Sequence, residues 1–178
     1  MTNHESNLAS PANGLKMTDL EYSIRIATSD DAGKIAELHR SAWAEAMSKA
    51  YPYPADAEHR WNESLIVGRY SVFVAESGNV TMGFLAFNRS EQDVEIADVF
   101  IAPQFRRNRS ALNLVAKLLE QTFDAANVSL WVAETNDAAK ALYRTLGFVE
   151  NGESKPEPRR IDSAKMLRML RRCGESKI

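Results

Sequence analysis

Between Val94 and Asp124 a β-rich run passes through Pro103 and an arginine-rich turn straight into an amphipathic helix, with no linker between them. The run Val94 to Ala102 reads as a strand, and Ser110 to about Asp124 reads as a helix burying Ala111, Leu114, Val115, Leu118, Leu119 and Phe123. Between them lies Gln104-Phe105-Arg106-Arg107-Asn108-Arg109. Clustered arginines suit the end of a helix and not its start, because the N-terminus already carries partial positive charge. An anion bound at the turn resolves that conflict, so this unit predicts a phosphate site at the end of a strand. Solvated arginines on a polar turn are the alternative.

The rest of the chain supplies the elements such a unit needs. Tyr22 to Ala27 alternates apolar and polar residues like a half-buried strand, and Thr28-Ser29-Asp30-Asp31 offers capping chemistry for a helix running to about Met47. Trp43 is expected in the core. Tyr51-Pro52-Tyr53-Pro54 cannot continue that helix and forms a connector, followed by a second helix over about Ala55 to Val67. Ser71 to Glu76 and Met82 to Asn88, separated by Gly78-Asn79, predict an antiparallel hairpin. Val128 to Ala133 predicts a strand, and Asp137 to Leu146 a short helix capped by Asn136 and stopped by Gly147. Phe148 to Gly152 and Lys165 to Leu170 close the sheet. The pattern is a single mixed α/β domain of about six to seven strands and four helices over 22–172, with tails at 1–21 and 173–178.

Composition narrows the function classes. In 178 residues, 22 Lys and Arg stand against 24 Asp and Glu, a net charge of -2, which argues against a general nucleic-acid binder. No apolar run approaches the length of a membrane span, and the polar N-terminus lacks the layout of a signal peptide, so a cytoplasmic protein with no membrane association is expected. One cysteine and three scattered histidines provide neither a disulfide nor metal-ligand spacing. The charge is uneven, however: residues 1–100 carry 8 basic and 15 acidic side chains, and 101–178 carry 14 and 9.

Two segments together resemble the GNAT acyltransferase superfamily over about residues 22–170. The first is the turn Arg106-Arg107-Asn108-Arg109-Ser110-Ala111, with Arg106 and Ala111 matching the ends of the pattern Arg/Gln-x-x-Gly-x-Gly/Ala. Arg109 stands where that pattern has its central glycine, and Arg107 where another glycine is common. The second is Leu130-Trp131-Val132-Ala133-Glu134-Thr135-Asn136 leading through Tyr143 to Gly147-Phe148. The resemblance implies a GNAT-like fold, acetyl-CoA as cosubstrate, and the turn residues Arg106 to Ala111 with Asn136 as its binding residues. It implies backbone amides around Phe100 and Ile101 that polarise the thioester carbonyl, and Tyr143 as the group directed at the CoA sulfur.

The general base is open between two acids. Glu95 corresponds to the carboxylate some relatives use, and Asp98 is the second candidate. In a regular strand they point to opposite faces, so only one can reach the cleft unless a bulge intervenes. The implied activity is acetyl transfer from acetyl-CoA to a primary amine by direct attack in a ternary complex, without a metal. Glu91, Asp93, Glu95 and Asp98 suggest a cationic acceptor, a small molecule or a peptide amine. The alternative is a non-catalytic CoA-binding or regulatory module whose pyrophosphate loop has lost its glycines. Strand exchange at the C-terminus offers a route to a homodimer.

Overall fold

A hairpin fixes one edge of the sheet. Gly78 takes φ +57° between β2, Ser71–Ser77, and β3, Val80–Arg89, and β1, Ser23–Ile26, pairs with the outer side of β2. The computed structural model describes residues 21–172, so the expected tails, apart from Glu21, and Cys173 lie outside the described residues. Between β1 and β2 the chain forms a short 3-10 turn, Ser29–Asp31, and two helices, α1, Ala32–Ala46, and α2, Ala57–Ile66. After β3 come β4, Asp93–Ile101, a second 3-10 turn, Pro103–Phe105, and α3, Ser110–Gln121. The chain ends with β5, Asn127–Ala133, α4, Asp137–Thr145, β6, Val149–Lys155, and β7, Met166–Arg172. The seven strands lie in the order β1-β2-β3-β4-β5-β7-β6. Among the described residues no helix is long and apolar enough to cross a membrane.

Period-two alternation along the strands divides the core into two layers. Phe73, Ala75, Leu85 and Phe87 join Leu114, Val115 and Leu118 of α3 and Tyr143 of α4 on one face. Val72, Val74, Phe84 and Ala86 join Ala32, Ile35 and Ala36 of α1 and Ala57 and Trp61 of α2 on the other. The α1/α2 layer reaches only as far as β4, and no residue of β5, β6 or β7 belongs to it.

Two expectations about the core need correction. Phe123 is 78% exposed, because α3 stops at Gln121. The Thr122 hydroxyl turns back to donate to the Leu118 carbonyl at 2.8 Å, and Thr122 takes the buried place instead. Trp43 is half-buried: its indole N–H donates to the Tyr51 carbonyl at 2.7 Å, so it braces the Tyr-Pro connector without entering the sheet core.

Candidate active site

β4 and β5 are parallel neighbours for only four residues. Their pairing runs from Asp93↔Asn127 to Ile96↔Leu130 and then stops, while β4 continues along β3 to Ile101 and β5 continues along β7 to Ala133. The β5-facing edge of β4 from Ala97 onward therefore has no ladder partner, and a cleft opens between the strands. At that point β4 also carries a bulge: Phe87 pairs with Ile96 and Ala86 with Asp98, leaving Ala97 unmatched.

The bulge overturns the expectation that Glu95 and Asp98 face opposite ways. Asn88↔Glu95 and Ala86↔Asp98 are both in register, so the extra residue puts the two acids on the same face, that of α1 and α2. They differ in depth. Glu95 is exposed and sits in the closed part of the sheet, with β3 on one side and Ser129 of β5 on the other. Asp98 lies past the parting of the strands and is partly buried, and its carboxylate makes no hydrogen bond or ion pair among the described residues. Burial pushes its carboxyl up to about 6. Glu91 and Asp93 lie at the other end of β4, where Asp93 accepts from the Asn127 amide at 2.9 Å, so they are not gathered with Asp98.

Tyr143 reaches the cleft from α4. Its ring packs edge-on against Phe148 at 5.7 Å between centroids, and its phenol, 9% exposed, makes no hydrogen bond among the described residues. Burial first, and then the nearby charge of Asp98, hold its pKa above the ordinary tyrosine value, so it keeps its proton throughout the physiological range. Tyr53 is also raised, by burial and with a smaller push from Asp98, which puts the Tyr-Pro connector beside the same carboxylate.

The direction of the backbone amides follows from one bond. The Ala102 N–H donates to the Met82 carbonyl at 2.9 Å, and alternation along the ladder then sends the Phe100 amide toward β3 and the Val99 and Ile101 amides into the cleft. Of the expected pair only Ile101 points there. Gly83 allows this close pairing, since a Cβ on it would lie 2.4 Å from the Phe100 carbonyl oxygen.

The arginine turn keeps a glycine-type conformation without glycine. Arg107 and Arg109 both take φ +65°, at the two positions where glycine was expected. Asn108 locks the turn by accepting from the Ser110 amide at 3.0 Å and the Ser110 hydroxyl at 2.5 Å, and Ser110 is buried at the start of α3. Arg106 is committed elsewhere. It donates to the Ile101 carbonyl at 3.0 Å and to both carboxylate oxygens of Glu45 on α1 at 2.8 and 2.7 Å. Ala111 packs half-buried against the core, and Asn136 caps α4 by accepting from the Ala139 amide at 3.1 Å. A non-glycine residue in the left-handed region costs roughly 1 kcal/mol. Arg107→Gly and Arg109→Gly should therefore each raise stability by about 0.5–1 kcal/mol, seen as a melting point a few degrees higher. A lower melting point in both would show that the arginine side chains, and not the backbone, hold the turn.

The loop Ser154 to Ile161, expected with the first two helices and the Tyr-Pro connector to wall the acceptor site, runs into a strap between the end of α1 and the β5–α4 turn. Residues 156–164, between β6 and β7, bond to the end of α1 through Ser48 N–H to the Arg159 carbonyl at 2.7 Å and Ile161 N–H to the Ala46 carbonyl at 3.1 Å. On the other side the Thr135 hydroxyl, in the β5–α4 turn, donates to Asp162 at 2.7 Å. His39, expected in a surface or semi-buried structural role, is half-buried on α1, accepts at Nδ1 from the Trp61 indole at 3.3 Å and meets Trp43, Tyr53, Trp61 and Phe84 edge-on.

A strand pair that parts beside a helix N-terminus, with a turn of exposed backbone and arginine, offers room for an elongated phosphate-bearing ligand such as the acetyl-CoA that the resemblance implies. The turn and the first amides of α3 fit the anionic end, and the unpaired edge of β4 fits the amide-containing arm. The Acetyltransferase (GNAT) family matches residues 34–148. A probable N-acetyltransferase of Mycobacterium tuberculosis is 26% identical over 143 residues, 74% of this chain and 82% of that protein. Structure comparison finds yncA of Salmonella typhimurium, assigned as an acetyltransferase and solved with its cofactor acetyl-CoA, at TM-score 0.71 and 21% identity, covering 88% of this chain and 96% of that one. The spermidine N-acetyltransferase of Vibrio cholerae, in complex with CoA and spermine, superposes at TM-score 0.69 with 22% identity, covering 86% and 96%. The chain thus belongs to the GNAT acetyltransferase family, an N-acetyltransferase whose cosubstrate is acetyl-CoA.

Proposed function

We propose that the protein moves an acetyl group to a primary amine by direct attack in a ternary complex, with Asp98 as the base and Tyr143 as the acid. The observation that carries this is the place of Asp98, unpartnered and partly buried past the parting of β4 and β5, within electrostatic reach of Tyr143. When bound, acetyl-CoA supplies an activated acyl carbon and a thiolate leaving group. An amine must be neutral to attack, and a carboxylate with a pKa near 6 is ionised at neutral pH and so able to take its proton. Tyr143 keeps its proton over the same range and can deliver it to the departing sulfur. The cleft-facing Ile101 amide can stabilise charge on the acyl oxygen.

Arg107, Asn108, Arg109, Ser110 and Ala111 would hold the pyrophosphate. Asn136 contributes through the cap of α4, and Arg106 acts by anchoring the turn to α1. The left-handed turn kept at Arg107 and Arg109 supports cofactor binding in either reading, and the buried, protonated Tyr143 favours the enzyme over a binding-only module.

The competing base is Glu95, and one variant separates the two. Glu95→Gln should leave kcat, followed by thiol release from acetyl-CoA with an amine panel, within about threefold of wild type, as expected for an exposed side chain outside the cleft. A loss of about a hundredfold in Glu95→Gln would move the base to that residue.

A further inference from the structure

Resting on the amine-transfer reading, we infer that the acceptor is a primary amine that carries a carboxylate, held at the cleft mouth by Arg40 and Lys155. Three aromatic rings line that mouth, and each has a cation on its face. Trp131 follows Leu130, the last β5 residue paired with β4, and projects with Ser129 from the face that α1 and α2 leave uncovered. Lys155 Nζ lies 4.1 Å from its ring centre, and Arg168, its cross-strand partner on β7, lies at 5.7 Å. Opposite, Arg40 sits 5.2 Å from Tyr53, the ring that feels the charge of Asp98, and Arg159 sits 5.8 Å from Trp43. Lys155 and Arg159 are four residues apart, so their Cα atoms lie within about 14 Å of each other and one short stretch of chain sends a cation to each wall.

The charges at this mouth do not cancel. Arg159 is paired with Glu157 at 2.7 Å, Arg160 with Asp162 at 2.9 Å, and Arg168 with Glu153 at 3.0 Å. Arg40 and Lys155 are exposed and have no carboxylate within ion-pair distance among the described residues. The Arg168 Nε is a further buried donor without an acceptor. Two unmatched cations over aromatic faces repel a polyamine and complement an anionic group, while Asp98 addresses the amine itself. A free amino acid and a peptide with an acidic residue near its N-terminus both present this chemistry.

Matched acceptors test it: L-lysine against cadaverine, L-tyrosine against tyramine, and alanyl-glutamate against alanyl-glutamine, both dipeptides as C-terminal amides, each by thiol release at low and high salt. The carboxylate member of at least one pair should be favoured about tenfold in kcat/KM at low salt, and less at high salt. Lys155→Glu and Arg40→Glu should shrink that preference without changing acetyl-CoA affinity in calorimetry. Preference confined to the amino acids assigns a free amino acid, and preference confined to the dipeptides assigns a peptide N-terminus. A preference for the decarboxylated or neutral members, or one that both charge reversals leave intact, overturns the inference. Turnover of none of them, with acetyl-CoA still binding, overturns the amine-transfer reading and the inference with it.

Discussion

Asp98→Asn should abolish most of the activity while making the protein more stable. The kcat is expected to fall about a hundredfold or more, the usual size of a general-base contribution. Wild-type kcat/KM should decline below a pH of about 6 as the carboxylate is protonated, and the variant should lose that limb. Stability moves the other way because burial raises the folded pKa above the ordinary value of 3.8. The folded state then favours the protonated acid, so the wild-type protein loses stability as pH rises from about 4 through about 6, and the penalty is complete above that range. Asparagine fills the same space without charge. Above pH 7 it should stabilise the fold by on the order of 1–3 kcal/mol, a gain of several degrees in melting temperature that shrinks toward pH 4. A variant that loses activity and stability together at pH 8 would mark Asp98 as a structural residue.

Tyr143→Phe should separate chemistry from binding. The ring's contacts with Phe148 and the α3/α4 core survive the substitution, and the hydroxyl gives up no hydrogen bond among the described residues. The melting temperature should therefore stay within about 2 °C. Affinity for acetyl-CoA in calorimetry should change by less than about twofold, whereas kcat should fall about tenfold to a thousandfold through loss of the proton donor. Because burial and Asp98 hold the phenol above its ordinary pKa, wild type should show no alkaline limb from Tyr143 below pH 10. Equal losses in affinity and kcat would make Tyr143 a binding residue and leave the sulfur's proton to another source.

Arg107 and Arg109 show why part of the site was hard to read. Side chains at both glycine positions of the turn predict ordinary backbone angles or weaker ligand binding. The backbone takes the left-handed angles regardless, since the Asn108–Ser110 lock and the Arg106–Glu45 anchor together determine the turn. Propensity at one residue was overridden by its neighbours. Arg106 was read as a phosphate ligand because it opens the motif, but Glu45 lies 61 residues earlier and no local pattern pairs them.

The residues alone determined the element order, the two-faced strands, the arginine turn ahead of α3 and the cap of α4, because each depends on short-range periodicity, capping or turn chemistry. They also brought Tyr143 and Asp98 into consideration. Only the tertiary structure separated the two acids in space. A single unmatched residue, Ala97, rotates Asp98 onto the face of Glu95, and the parting of β4 from β5 decides which of them reaches the cleft. The strap and its cations are likewise tertiary, assembled from α1, β5, β6 and β7. Strand register and long-range pairing arise from the packing of the whole sheet, and a linear pattern of apolar and polar residues does not encode where that packing inserts a bulge or ends a ladder.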